Sequence, residues 1–121
     1  MATILVIDDD NFMRKAMRLM IEEHGHSVIE ADTGIKGEHA LEFSKVDIIF
    51  TDIFMPEQDG IQTIINIKKI MPDIPIVAIT SAHSESMTCH LKQAKLLGAS
   101  IAYSKPITAE NIHHALFTLL S

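Results

Sequence analysis

The sequence has no tryptophan, one tyrosine and one cysteine among its 121 residues. The lone cysteine, Cys89, cannot close an intrachain disulfide, which excludes a small domain held together by disulfide bonds. No apolar stretch approaches the roughly 20 residues that a membrane-spanning helix needs. The apolar run at residues 4–7 is too short for the core of a signal peptide, and acidic residues follow it at once. These absences predict a reducing, cytoplasmic setting.

The sequence also lacks clusters of positive charge. Its 10 Lys and Arg residues are outnumbered by 16 Asp and Glu, the formal net charge is -6, and no basic run is longer than two residues. Because contacts to nucleic-acid phosphates need clustered Lys and Arg, direct nucleic-acid binding is not expected. A composition of 47% hydrophobic and 21% charged residues is typical of a folded globule. The length predicts a single domain spanning residues 1–121.

Short apolar runs with no helical period alternate with amphipathic stretches along the chain. Such runs, bounded by turn residues, are typical of strands that are buried on both faces of a parallel sheet. The predicted strands cover residues 3–7, 27–30, 48–50, 76–79 and 100–103. A helix is predicted after each strand, the fourth over residues 84–97, and Gly37 is expected to weaken the second. This alternation predicts an α/β fold with a doubly wound five-stranded parallel sheet and five helices.

Four of the predicted strands end in polar side chains. The first ends in Asp8 and Asp9, the central one in Asp52, the next in Thr80 and the last in Lys105. Because open α/β sheets bind ligands at the carboxyl ends of their strands, we expect these residues to form one pocket. Neighbouring carboxylates repel each other unless a positive charge lies between them. Magnesium prefers oxygen ligands, so Asp8, Asp9 and Asp52 are predicted to hold Mg²⁺.

This set of side chains suits phosphoryl transfer. The Asp52 carboxylate can attack a phosphorus atom and form an aspartyl phosphate. The reaction needs mainly alignment and charge neutralisation, which the metal ion and Lys105 would supply, while Thr80 can donate a hydrogen bond to a phosphate oxygen. Each residue also has a structural interpretation; acidic turns cap helices, and Asp10 is the natural N-cap of the first helix. Their joint position at one edge of the sheet favours the functional interpretation.

The pocket residues and their spacing resemble the receiver domain of the two-component response-regulator family, and the resemblance covers the whole chain. The matching motifs are Asp8-Asp9-Asp10 with Arg14, residues 51–56 with Asp59-Gly60, Thr80-Ser81, Gly98-Ala99, and Lys105-Pro106. The resemblance implies a flavodoxin-like sheet with strand order 2-1-3-4-5. It also implies a cis peptide bond before Pro106.

The resemblance implies a role for each pocket residue. Asp52 resembles the phosphoacceptor, and Asp8 and Asp9 resemble the magnesium ligands. Thr80 resembles the switch hydroxyl, and Lys105 resembles the phosphate-binding lysine. Members of the family take a phosphoryl group from a phosphohistidine on a histidine kinase or a histidine phosphotransfer protein, and hydrolyse it slowly themselves. These two steps would be the only enzymatic acts of the chain.

Phosphorylation in the family pulls the threonine hydroxyl inward and shifts a two-state equilibrium, which a downstream target protein or a fused output domain reads. The face that is read comprises the fourth helix, the fifth strand and the fifth helix. The family usually has Phe or Tyr three residues before the lysine, where this chain has Ala102. Tyr103 comes next, and on a strand it would face the opposite way. We therefore expect Tyr103 to pack in the core or at an edge, outside the usual coupling to Thr80.

Other functions are compatible with parts of the sequence. A Mg²⁺-dependent aspartyl-phosphate phosphatase of the haloacid-dehalogenase type carries a second acid two residues after its nucleophile, where this chain has Phe54. A flavodoxin-like cofactor binder would place a phosphate beside the turn after the first strand, which is acidic and repels it. A receiver that signals without phosphate also remains open, because of Ala102.

The seven histidines show no grouping with cysteine at the spacings typical of zinc sites. They are expected to lie in solvent on helices and loops. His83 is the exception, because it follows the loop after Thr80 and is a candidate contact to a partner protein.

Overall fold

A five-stranded parallel sheet forms the centre of the protein. In the computed structural model, which describes residues 1–53, 60–80, 92 and 95–120, the strands are β1 (Thr3–Ile7), β2 (Ser27–Ala31), β3 (Ile48–Asp52), β4 (Ile76–Thr80) and β5 (Ile101–Ser104). Their order across the sheet is β2-β1-β3-β4-β5, and every neighbouring pair is parallel. The predicted fold class and strand order are therefore confirmed.

The helices are α1 (Asn11–Glu23), α2 (Gly34–Phe43), α3 (Gly60–Ile70) and the C-terminal helix (Ala109–Leu120). Residues 92 and 95–97 are also helical and belong to the predicted fourth helix, most of which lies outside the described residues. Asp10 caps α1 as predicted, because its Oδ1 accepts hydrogen bonds from the backbone N–H groups of Phe12 and Met13 at 2.9 and 3.2 Å. None of the described helices is long and apolar enough to cross a membrane.

Two layers of apolar side chains cover the two faces of the sheet. Successive side chains of a strand point to opposite faces; Leu5 and Ile7 of β1 lie in the first layer, with residues of α2 and α3. Ile4 and Val6 lie in the second layer, with residues of α1 and the C-terminal helix. All five residues of β3 and all five of β4 are buried. Burial on both faces explains why each of these strands begins with a continuous apolar run.

Gly37 allows α2 to approach the sheet closely. A Cβ atom at this position would overlap Cδ1 of Ile7, and the Ile7 side chain is fully buried in the first layer. Gly37, which was expected to weaken α2, therefore also has a packing function, because any larger side chain would have to displace the buried side chain of Ile7.

Candidate functional site

Asp8 and Asp52 lie side by side at the carboxyl edge of the sheet. Asp52 is the last residue of β3 and Asp8 follows β1, which pairs with β3. Asp8 is fully buried and Asp52 is only 2% exposed, whereas Asp9 lies on the surface. One carboxylate oxygen from each of Asp8, Asp9 and Asp52 lies within 4.8 Å of the others. The structure thus brings the three predicted carboxylates together, in what we call the acidic cluster.

The ammonium group of Lys105 reaches the acidic cluster from the turn after β5. Its Nζ donates a hydrogen bond to Oδ2 of Asp52 at 2.8 Å and lies 3.3 Å from Oδ2 of Asp8. Burial alone would lower the pKa of Lys105, but the hydrogen bond to Asp52 and the charges of Asp52 and Asp8 outweigh it and raise the pKa. The group is therefore charged at neutral pH. The peptide bond between Lys105 and Pro106 is cis, as the resemblance implies.

The carboxylate of Asp8 is only partly satisfied by the protein. Its Oδ1 accepts a hydrogen bond from the backbone N–H of Asp10 at 2.9 Å. The contact of its Oδ2 with Lys105 is an ion pair without hydrogen-bond geometry, and no other described residue donates to this oxygen. Burial raises the pKa of Asp8 to about 6; the N–H of Asp10 opposes this shift and the charge of Asp52 adds to it. The acidic cluster therefore has the oxygen donors and the excess negative charge that suit a hard cation.

Thr80 ends β4 at the same edge of the sheet. Its side chain is fully buried, and its Oγ1 has no hydrogen-bond partner among the described residues. Its carbonyl oxygen accepts a hydrogen bond from the backbone N–H of Lys105 at 2.7 Å, which joins β4 to the turn that carries the lysine. Since an unpaired buried hydroxyl is costly, Thr80 would gain stability from a new acceptor. His83 lies outside the described residues, as does Phe54.

Arg14 connects the acidic cluster to α1, a function that the sequence analysis did not identify. Its Nη1 donates to the carbonyl oxygen of Asp8 at 2.7 Å and its Nη2 to Oδ1 of Asn11 at 2.6 Å. Its Nε donates to Oε1 of Glu30 on β2 at 2.8 Å. Hydrogen bonds from a charged donor are stronger than neutral ones. Arg14 therefore holds the turn between β1 and α1, which carries Asp8 and Asp9.

Glu30 fixes the orientation of Arg14. Besides Arg14, its carboxylate contacts Lys15 at 3.0 Å and Arg18 at 2.7 Å. Burial alone would raise the pKa of Glu30, but the hydrogen bonds from Arg18, Lys15 and Arg14 outweigh burial and lower the pKa to about 2. Glu30 is therefore ionised at neutral pH. A sequence signal was present, because Arg14 and Arg18 lie one turn apart on α1 and Glu30 carries the opposite charge on the following strand.

Ala102 and Tyr103 face opposite sides of the sheet, as predicted. Ala102 packs against the first layer of the core and Tyr103 against the second. The Tyr103 hydroxyl shares a hydrogen bond of 2.6 Å with Nδ1 of His114 on the C-terminal helix. Tyr103 therefore packs on the edge strand and does not lie on the face that Ala102 occupies.

These features define a class of protein: a doubly wound α/β domain with an acidic, lysine-containing site at the carboxyl edge of its parallel sheet. The sequence profile of the response regulator receiver domain matches residues 4–117, and the chain belongs to this family. The predicted identification is confirmed. The chain is a receiver domain of two-component response regulators, a family whose function is phosphorylation-based switching.

Individual relatives agree with this assignment. The chain is 30% identical to the transcriptional regulatory protein GlrR of Escherichia coli over 115 residues. The aligned region covers 95% of this chain and 25% of GlrR. It is 29% identical to the chemotaxis protein CheY of Halobacterium salinarum over 118 residues. This aligned region covers 98% of the chain and 96% of CheY. A response regulator receiver domain protein from Clostridium thermocellum superposes with a TM-score of 0.90 at 27% identity, covering 99% of this chain and 94% of that chain. The chain thus spans about a quarter of GlrR and nearly all of CheY.

Proposed function

We propose that Asp52 accepts a phosphoryl group from a phosphohistidine of a histidine kinase or a histidine phosphotransfer protein, and that phosphorylation controls a target protein or a fused output domain. The observation that carries the proposal is the position of Asp52, buried at the end of β3 against Lys105 and beside Asp8. Family membership supports it. We also propose that self-phosphorylation and slow self-dephosphorylation are the only reactions that the chain catalyses.

The described residues suit the chemistry of this step. An oxygen of the Asp52 carboxylate would form a bond to phosphorus while the bond from phosphorus to the imidazole nitrogen of the donor breaks, and the electron pair stays on that nitrogen. Lys105, already hydrogen-bonded to Asp52, would neutralise charge on a phosphoryl oxygen. The buried hydroxyl of Thr80 would donate a hydrogen bond to another phosphoryl oxygen, which gives phosphorylation a means to shift the end of β4.

The acidic cluster fits Mg²⁺. Asp8, Asp9 and Asp52 offer three carboxylate oxygens within 4.8 Å of one another, and Oδ2 of Asp8 is buried without a hydrogen-bond donor among the described residues. Protein sites commonly hold Mg²⁺ by a few carboxylates and leave the remaining positions to water and phosphate oxygens. The bound ion would neutralise the negative charge of the acids and of the phosphoryl oxygens. Asp8 and Asp9 would hold it, and Asp52 would contribute the third oxygen.

Intact-mass measurement with and without Mg²⁺ tests the proposed function. We expect the chain to gain the mass of one phosphoryl group after incubation with a small acyl phosphate and Mg²⁺, and to gain none in EDTA. The reason is that the acids of the cluster repel an anionic phosphodonor when no cation neutralises them. A gain that is equal in EDTA would contradict the role of the cluster. No gain from either the acyl phosphate or a phosphorylated histidine phosphotransfer protein would contradict phosphorylation itself.

The Arg14→Met variant is expected to need a higher Mg²⁺ concentration for phosphorylation. It removes the donor to the carbonyl oxygen of Asp8, and loss of a group that orients metal ligands typically weakens metal binding about tenfold or more. We therefore expect about a tenfold rise in the Mg²⁺ concentration that gives half of the maximal rate. Arg18→Met is the matched control. Arg18 also forms an ion pair with Glu30, but its side chain is more exposed than that of Arg14. If the two substitutions raise the required Mg²⁺ concentration equally, the effect comes from the loss of positive charge near Glu30 and not from the contact of Arg14 with Asp8.

A further inference from the structure

A pair of histidines lies away from the acidic cluster, near the opposite end of β1. His24 follows α1, and His113 lies on the C-terminal helix. Nε2 of His24 and Nδ1 of His113 are 3.4 Å apart, although 89 positions separate the two residues in sequence. The pair lines an open groove of about 300 Å³, together with His26, Leu116, Phe117 and Leu120. His26, which also lines this groove, contacts Ala2, the residue before β1. Asp8 follows the other end of β1, so the groove and the acidic cluster lie at opposite ends of this strand.

The hydrogen bonding of His24 leaves the nitrogen that faces His113 available as a ligand. Nδ1 of His24 lies 2.9 Å from the carbonyl oxygen of Met20, which can only accept a hydrogen bond. Nδ1 therefore carries the proton, and in the neutral ring Nε2 carries the lone pair. Metal-binding histidines usually donate their second ring N–H to a backbone carbonyl or a carboxylate in this way. The end of α1 thus presents an imidazole whose Nε2 lone pair faces Nδ1 of His113.

The separation of the two nitrogens matches that of two ligands on one zinc ion. Nitrogens that lie about 2.05 Å from Zn²⁺ and subtend the tetrahedral angle are about 3.3 Å apart. The right angle of a square-planar site would bring them to about 2.9 Å. The two rings share a hydrogen bond at their observed distance, and the tautomers decide which nitrogen donates. The observed separation of 3.4 Å is compatible with a tetrahedral ligand pair and is longer than a right-angle pair requires.

We propose that Nε2 of His24 and Nδ1 of His113 bind one Zn²⁺ ion, with water in the remaining positions. The ring of Phe117 stacks on that of His113 at a centroid distance of 6.3 Å. His26 is held differently, because its Nδ1 accepts a hydrogen bond from the backbone N–H of Ala2 at 3.0 Å. In its neutral form the other nitrogen of His26 then carries the proton and is not a ligand. The bound ion would tie the end of α1 to the C-terminal helix.

Calorimetric titration of the folded chain with Zn²⁺ tests this proposal. An excess of Mg²⁺ is kept in the cell so that the acidic cluster is occupied. We expect one Zn²⁺ to bind to the wild-type chain, and binding to His24→Ala and to His113→Ala to be at least tenfold weaker. His39→Ala replaces an exposed histidine of α2 and is expected to bind like the wild type. The unfolding temperature should rise with Zn²⁺ in the wild type and in His39→Ala only.

Two results would overturn the proposal. Equal Zn²⁺ affinity in the wild type, His24→Ala and His113→Ala would show that the pair is an ordinary contact between two rings. Loss of Zn²⁺ binding in Asp52→Asn would place the ion in the acidic cluster instead. Because both histidines lie on the surface of the fold, unfolding temperatures measured without metal will show that the two variants are folded.

Discussion

The Asp52→Asn variant is expected to form no phosphoryl adduct under conditions in which the wild-type chain is fully phosphorylated. The substitution keeps the shape of the side chain but replaces the carboxylate by an amide, which carries no charge and is a poor nucleophile. It also removes one of the three negative charges of the acidic cluster and the carboxylate to which Lys105 donates its hydrogen bond. The measurement is the intact mass after incubation with a small acyl phosphate and Mg²⁺.

Asp73→Asn is the matched control for this experiment. Asp73 lies in the exposed turn before β4 and has the same side chain, so its substitution should leave the adduct unchanged. An adduct of equal yield in Asp52→Asn and in the wild type would mean that another residue accepts the phosphoryl group. Loss of the adduct in both variants would mean that the reaction depends on the total charge of the chain.

The Gly60→Ala variant is expected to lower the free energy of unfolding by about 3 kcal/mol, at the upper end of the usual cost of overpacking. Its Cβ would overlap the carbonyl oxygen of Asp52 and Cα of Ile53, and would lie 2.9 Å from the carbonyl carbon of Asp52. These atoms belong to the backbone, so no side-chain rotation relieves the overlap. The N–H of Gly60 also donates to the carbonyl oxygen of Ile53 at 2.6 Å, which holds the start of α3 against the end of β3. Urea unfolding measures the effect.

Gly25→Ala separates this steric effect from the general effect of replacing glycine. Gly25 has a φ of 84°, but no heavy atom of the described residues, its two chain neighbours apart, lies within 4 Å of the position that its Cβ would occupy. Its substitution should cost about 1 kcal/mol, the penalty of a left-handed backbone alone. If Gly60→Ala is no more destabilising than Gly25→Ala, then α3 moves away from Asp52 easily and the close approach does not position the phosphoacceptor.

The placement of Asp8, Asp52, Thr80 and Lys105 could be predicted because it follows from the topology. The sequence shows where each strand ends, and a parallel sheet brings those ends to one edge whatever the detailed packing. The different exposure of Asp8 and Asp9 could not be predicted in the same way. It depends on how the chain turns between β1 and α1, and the adjacent acids are indistinguishable in a pattern of residue types.

Contacts between distant elements account for the rest of what the sequence analysis missed. Gly37 was interpreted through helix propensity, whereas the structure adds its contact with Ile7, which depends on how α2 lies on the sheet. The histidines were expected to lie in solvent on helices and loops, and His24 and His113 are indeed exposed, but their contact with each other was not predicted. His24 and His113 meet because α1 and the C-terminal helix pack on the same face, and no local spacing encodes that distance.

Tyr103 is the only tyrosine of a chain that has no tryptophan. It lies on the edge strand, and its hydroxyl is hydrogen-bonded to His114. The intrinsic fluorescence of the unlabelled protein therefore comes mainly from one side chain, at the contact between β5 and the C-terminal helix. Any rearrangement of this contact changes the surroundings of the single emitter, so a change in its emission can be assigned to one place in the fold without a dye or an introduced tryptophan.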